Sequence, residues 1–567
     1  MNPALRITKL SFSGGDTIVL GANDKVLLVG PNNAGKSQAL RDIQSCIRDR
    51  GEQEPLMVIR SVEFERSGTA EDVGQFMSER YEKHQGHFQV FGHSVHASSV
   101  KEYWQLEQPL RELTSAFVRH VGAEDRLKIT HLADSKDPDH PSTAPQHFLH
   151  QDESLLREIS RVFREAFRVD LFIDYVGGSK IPFHVGQLPG PECGSNPIGN
   201  LYVEAVRRQP RLDRQGDGMR SYAGILFETL VRPLDVTLVD EPEAFLHPPQ
   251  MRRLGRTLAE KAQGQLIVAT HSSDVLRGFI EGTKGDNLRI LRITREGETN
   301  RVHEAEAEVL KELWEKPEFR YSNALDGVFH ELSVICEDDS DCRLYNAMAD
   351  FDAETGAYRY ADTAYIPTGG KQRAPKIASV LKRIGLPIVS VFDLDLFADR
   401  GHLQSMVESV GGDWETIEPL WRRVEAGVSN GVKVKTFEEI QNYINQAFQI
   451  CDDGKVPERE IKSALKQLRP WQIVKKSGEA ALPKGQLRTT LDELKKVLAD
   501  MGIYVVAVGE AEGFAPEIGI HGPGFVSKLL EEISLGDQKL GGLRAFVREF
   551  HRAENADESP ESTPASG

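Results

Sequence analysis

The chain has 567 residues, more than one hydrophobic core can serve, so about two to four domains are expected. Hydrophobic residues make up 39% and charged residues 27%, a balance that excludes a fibrous or wholly disordered protein. A formal charge of -17 excludes a uniformly basic surface that coats nucleic acid, while leaving room for a local basic groove.

Cys46, Cys193, Cys336, Cys342 and Cys451 are scattered without zinc-ligand spacing, which fits a reducing compartment. The N-terminus lacks the pattern of a signal peptide, and no apolar run approaches the roughly 18 residues of a membrane span. A cytoplasmic protein with no membrane partner is expected.

Along the chain, Ile7, Leu10 and Phe12, then Thr17 to Leu20, then Lys25 to Val29 predict short strands. The third strand feeds Gly30-Pro31-Asn32-Asn33-Ala34-Gly35-Lys36-Ser37, which fits the P-loop pattern at every fixed position. Its glycines let backbone amides close around phosphate, Lys36 reaches the terminal phosphates, and the Ser37 hydroxyl is offered to Mg²⁺. Leu40, Ile43 and Ile47 then recur at helical spacing.

Residues 51–200 read as a mainly helical insertion, a candidate dimerisation region, with a helix over 154–167 and a hairpin around Gly177-Gly178. Beyond it, Leu234 to Val239 and Gln265 to Ala269 read as buried parallel strands. The first delivers Asp240, suited to orient Mg²⁺, and Glu241, suited to polarise the attacking water; a surface acidic pair is the plain alternative. The second delivers His271, placed to contact a γ-phosphate if it is not structural. Gly216-Asp217-Gly218 opens a helical run some twenty residues before the acidic strand. This stretch resembles the signature of ABC ATPases, which contacts ATP from the opposite subunit, although the Ser-Gly-Gly core is absent. No Q-loop glutamine can be assigned.

A second strand-first unit starts with Leu332 to Cys336, followed by Glu337 and Asp341; Pro387 to Phe392 repeats the pattern and delivers Asp393 and Asp395. Side chains two apart on an extended segment face the same way, so the two aspartates can converge on one cation, with Glu337 and Asp341 completing an oxygen pocket for Mg²⁺ or Mn²⁺. Acidic loops are usually only solvated, and that alternative stands for either half alone. Helical sequence fills 405–500. Between Lys455 and Lys496 it carries eleven Lys or Arg against five Asp or Glu, either a solvated face or a phosphate-tracking surface. A last strand is expected at 504–508, and the tail 553–567 is too poor in apolar residues to pack.

These motifs carry resemblances. Asp240 to Pro248 is similar to the Walker B extension of the overcoming-lysogenization-defect (OLD) family and of SMC-like ATPases. That implies ATP with Mg²⁺, and pairing of two heads into a homodimer or larger assembly. Glu337 with Asp393-x-Asp395 resembles the Toprim domain, and Thr368-Gly369-Gly370-Lys371 and Gly502 to Gly513 resemble its OLD variant. The resemblance implies a catalytic acid at Glu512, with Glu510 second, and a late lysine for which Lys528 is the candidate.

The expected architecture is α/β: an ABC-type ATPase domain over 1–325 and a Toprim domain over 326–552 with a helical, partly basic insertion. The implied activity is an ATP-regulated, Mg²⁺- or Mn²⁺-dependent endonuclease acting on nucleic acid, DNA ahead of RNA. The resemblance extends to bacterial anti-phage defence of the Gabija-nuclease kind, with a partner protein from a defence operon. The rival is an ATPase clamp or sensor whose second acidic site is not catalytic.

Overall fold

The computed structural model describes residues 2–105, 108–137, 139–193, 196–316, 323–356, 358–450 and 456–555. The chain divides into two compact units, Met1–Ser322 and Asn323–Gly567, close to the boundary expected at 325.

The first unit is built on a six-stranded sheet in the order Thr299–Glu304, Leu288–Glu296, Lys25–Val29, Gln265–Ala269, Val236–Asp240 and Val118–Val121. All neighbours run parallel except the edge hairpin of the first two. The P-loop strand Lys25–Val29 lies inside the sheet and is buried throughout, as its unbroken Val-Leu-Leu-Val run requires of a strand covered on both faces. Helix Lys36–Asp49 follows it and buries Leu40, Ile43 and Ile47. A smaller antiparallel sheet joins Ala4–Phe12 to Thr17–Val19 and Ile59–Ser67.

The 51–200 stretch differs from expectation. It mixes short strands with helices, and two of its strands belong to the body of the unit: Ile59–Ser67 pairs with Ala4–Phe12, and Val118–Val121 forms an edge of the main sheet. Val118–Val121 is too short for periodicity to declare. Helix Glu153–Phe167 is present, and Asp170–Ile173 pairs with Phe183–Gly186 around the Gly177-Gly178 turn.

The second unit centres on a four-stranded parallel sheet ordered Thr363–Pro367, Leu332–Cys336, Ile388–Phe392 and Ile503–Val505. The chain steps from the Leu332–Cys336 strand to one side and then crosses to the other. The crevice between Leu332–Cys336 and Ile388–Phe392 is therefore a topological switch point, where open α/β sheets bind ligands. The last strand stops at Val505 rather than 508, because the chain turns there: the Gly509 amide donates to Val506 O at 3.0 Å, and Gly509 lies at φ +104°. The elements described between 400 and 500 are all helices, from Arg400–Ser409 through Gln486–Asp500, joined by short connections. Of the tail expected to stay unpacked, 553–567, the first residues are ordered: Glu554–Asn555 pairs antiparallel with Tyr358–Arg359, and the remainder from 556 lies outside the described residues. Among the described residues no helix is long and apolar enough to cross a membrane.

Candidate functional sites

In the first unit, backbone conformation prepares the phosphate loop. Gly30 lies at φ +135°, and a Cβ there would collide with the carbonyl of Ile293, so only glycine fits. Gly35, at φ +88°, caps the following helix and brings that helix's N-terminus to the loop. The loop is tied down where the Asn300 side-chain amide donates to Ala34 O at 2.8 Å. Asn32 and Asn33 are exposed on it.

Lys36 is almost fully buried, and its ammonium donates to Gly30 O and Pro31 O at 2.8 and 2.7 Å. Burial lowers its pKa to about 8 against the pull of Glu243, Glu241 and Asp240. The Ser37 hydroxyl donates to Asp240 at 2.8 Å, so the two expected Mg²⁺ ligands already touch. Glu241 holds a left-handed backbone, φ +46°, a strained conformation for a non-glycine residue. His271 stands with Nε2 3.9 Å from the Glu241 carboxylate, and burial, then Lys36, lowers its pKa. A cleft of about 640 Å³ gathers Asn33, Gly35, Lys36, Ser37, Glu241 and His271.

Two residues that the sequence does not single out hold this arrangement. Arg126 is fully buried and donates to Asp240 O at 3.0 Å and Glu241 O at 2.9 Å. Glu243 accepts from the Thr270 hydroxyl at 2.9 Å and from the His271 amide at 2.6 Å, and burial raises its pKa. Only the Asp-Glu-Pro-Glu spacing hinted at Glu243, and nothing marked Arg126. Gly216, Asp217 and Gly218 start helix Asp217–Leu226, which packs on the acidic loop through Ser221 and Ala244 O at 3.3 Å. None of the three lines the cleft.

In the second unit, carboxylates stand past the ends of three neighbouring parallel strands. Glu337, Asp393 and Asp395 offer oxygens within 4.8 Å of one another; Glu510, Glu512 and His521 form a second such group. Glu337 Oε1 and Asp395 Oδ1 are buried and accept no hydrogen bond from any described group. Buried carboxylate oxygens without a hydrogen bond, in an oxygen-rich donor set, fit a hard divalent cation. Burial, then Asp393 and Asp395, pushes Glu337 up to about 7; burial, then Asp338 and Asp393, pushes Asp341 up to about 8. Burial likewise raises Asp393 against the pull of Lys475.

Asp341 is drawn aside from the three-residue group. It forms a capping box with Asp338 at the start of helix Asp339–Glu354. Glu512 accepts from the Gly522 amide at 2.7 Å, and His521 lies 3.4 Å from Glu510. The Thr368 hydroxyl donates to Cys336 O at 3.1 Å and the Gly370 amide to Glu337 O at 2.9 Å. That loop delivers Lys371 Nζ to 3.5 Å from Asp395.

Lys528 is not at the carboxylates: its ammonium donates to Ile518 O at 3.3 Å and lies 3.7 Å from Glu532. The late lysine at the site, beside Lys371, is Lys475, 2.8 Å from Asp393 and 3.3 Å from Asp395. Burial alone would lower its pKa, but Asp393 and the other carboxylates outweigh this and raise it. His521 and Lys475 had no motif to announce them.

Comparison with known proteins bears on the first unit. Residues 198–277, which include the acidic pair, match the family model described as "AAA domain, putative AbiEii toxin, Type IV TA system". Over 222 residues the chain is 28% identical to the OLD nuclease of Thermus scotoductus, covering 36% of this chain and 40% of that protein. The chain thus spans about two fifths of that relative's length. Among solved structures it resembles an SmcHead bound to the C-winged helix domain of ScpA at 14% identity and TM-score 0.33, over 53% of this chain and 97% of that one. It also resembles the SMC head domain from Thermotoga maritima at 14% identity and TM-score 0.27, over 53% and 99% of the two chains. The first unit is thus α/β, and it combines a P-loop, a touching Ser37 and Asp240 and a match to an AAA-domain model over 198–277, a combination suited to ATP with Mg²⁺.

Proposed function

We propose that the protein is an ATP-dependent, OLD-type nuclease whose second unit, a Toprim-like domain, hydrolyses phosphodiesters in nucleic acid, DNA foremost. The observation that carries this reading is the group Glu337, Asp393 and Asp395 at the switch-point crevice, whose buried Glu337 Oε1 and Asp395 Oδ1 accept no hydrogen bond from any described group. These residues would hold Mg²⁺ or Mn²⁺, and Glu510, Glu512 and His521 a second ion. Such ions supply an activated water and shield the charge of the departing oxygen. Lys371 and Lys475 stand where they can meet the phosphate's negative charge. In the first unit Lys36, Ser37 and Asp240 hold ATP and its Mg²⁺, Glu241 acts as the base, and His271 faces the terminal phosphate. Gly216 to Gly218 would close a second copy's cleft, which makes a homodimer or larger assembly the working form. Cellular anti-phage defence with a partner protein follows from the OLD relationship alone.

The test is cleavage of supercoiled plasmid, single-stranded DNA and structured RNA with Mg²⁺ or Mn²⁺. Asp393→Asn with Asp395→Asn should fold, retain ATPase activity and cut nothing detectable, because neutral amides hold divalent ions poorly. Cleavage that survives these changes, or a parent that cuts no substrate, defeats the nuclease reading. The clamp or sensor reading would then stand, and one contact favours it: Lys475 pairs with both Asp393 and Asp395 and so itself offsets part of their charge.

A further inference from the structure

The helical stretch of the second unit carries a cleft of about 1110 Å³ lined by Lys433, Lys435, Lys462, Lys466, Lys475 and Lys476. Among the described residues, the lining sets against these six ammonium groups two carboxylates, Glu458 and Glu510, in a chain whose net charge is -17. Glu458 pairs with Lys462 at 3.1 Å. Among the described residues, Lys433, Lys435, Lys466 and Lys476 have no carboxylate within 4.0 Å. Lys462 and Lys466 are one helical turn apart on Glu458–Lys466 and so share a face. One part of the wall is formed by Lys475, Glu510 and His521, which also belong to the acidic site.

We propose that this cleft is the track along which the phosphate backbone of a nucleic-acid strand reaches the acidic site. Lys462 and Lys475 have carboxylate partners and Lys435 lies over the Tyr443 ring, but a concentration of lysines in excess of carboxylates still repels itself unless an anion settles there, and a polyanion releases counterions on binding, which favours a strand over a single small anion. The lysines line a concavity. A flat lipid surface could not meet them together, whereas a strand can lie along them. The continuity with Lys475 gives the track a destination: a backbone held by Lys433, Lys435 and Lys466 is led toward Asp393 and Asp395 rather than across the outside of the helices. The destination rests on the hydrolase reading; the track itself does not.

The test uses the full-length protein and a fluorescein-labelled DNA oligonucleotide, single-stranded and as a duplex, in EDTA so that nothing is cut. Anisotropy titrations over a range of salt concentrations give both affinity and salt slope. Lys466→Glu with Lys476→Glu, and separately Lys433→Glu with Lys435→Glu, should each lower affinity about tenfold or more at low salt. Each pair should also make the slope shallower by about two. The matched control is Lys484→Glu with Lys496→Glu, which makes the same charge change at exposed positions of the same helical stretch but outside the cleft. It should shift neither quantity by more than a fraction of that. All variants should melt with the parent, since the substituted side chains are on the surface.

The proposal is overturned if the cleft pairs bind like the parent, if the control pair weakens binding equally, or if the parent binds neither form of the oligonucleotide. The two readings fail separately. A parent that binds but does not cut with Mg²⁺ defeats the nuclease and leaves the track standing. A parent that cuts while both cleft pairs bind normally defeats the track and leaves the nuclease standing.

Discussion

The nucleotide cleft and the acidic cluster both sit at the carboxyl ends of parallel strands, yet they store opposite imbalances. In the cleft, the buried cations spend their hydrogen bonds on backbone carbonyls: Lys36 on Gly30 and Pro31, Arg126 on Asp240 and Glu241. Lys36 is held toward its neutral form, with a pKa of about 8. In the cluster, carboxylates crowd one another, and Glu337 and Asp341 are held toward their neutral forms at about 7 and about 8. The first site gains when an anion arrives and the second when a cation does. The same strand-end architecture is thus suited to phosphate in one unit and to a metal ion in the other, and the difference lies in which kind of charged group is buried in excess at the strand ends.

The contrast can be broken most severely at Lys36. Lys36→Ala should abolish ATP binding, read with a fluorescent nucleotide analogue, because no other side chain delivers an ammonium group into the loop; near-normal binding would mean the imbalance lies elsewhere. Glu241→Gln is milder. It should keep nucleotide binding and slow hydrolysis roughly 10²- to 10⁴-fold, the range of a lost general base, and unchanged turnover would remove Glu241 from that role.

Arg126→Ala sharpens the comparison from the structural side. Removing a buried cation that serves two carbonyls should cost roughly 3 kcal/mol, from bonds worth about 1.5–3 kcal/mol each, read by urea denaturation of the whole protein. A change under about 0.5 kcal/mol would mean water replaces those bonds.

The smallest effect is in pH. In metal-free protein Glu337 and Asp341 bind protons more tightly folded than unfolded, so the unfolded state holds fewer protons between about pH 4.5 and 8. Stability from this source is therefore greatest below that window and falls as pH rises through it. Thermal melts in EDTA should show the decline, and Mg²⁺ should flatten it; a decline unaffected by Mg²⁺ would separate these groups from any metal site.

What the sequence made legible follows from how each site is assembled. The P-loop, Asp240-Glu241, Glu337 and Asp393-x-Asp395 are short because neighbouring residues on a strand end must meet one ligand, and a fixed spacing can be read. Arg126 lies 114 residues from the backbone it holds, and Lys475 lies 82 from Asp393. Contacts made only by folding leave no local pattern. The same holds for Val118–Val121, whose four residues join the sheet only because Val236–Asp240 offers them an open edge. His521 reaches Glu510 through the turn that follows the last strand, which the expected longer strand to 508 would have placed differently. Lys475 was visible only as one member of a basic run, where spacing could not separate a site lysine from a solvated one.

Glu243 has a further consequence. One of its oxygens takes the Thr270 hydroxyl and the other the His271 amide, so the end of one strand is stitched to the loop that leaves its neighbour. The same loop carries Ala244, which Ser221 of the Asp217–Leu226 helix touches, and Phe245, whose carbonyl lies so near Gly218 that a methyl group there would meet it at 2.7 Å. Glu243 thus ties His271, which lines the nucleotide cleft, to the loop against which the start of the Asp217–Leu226 helix packs, so the two ends of that run of contacts share one carboxylate.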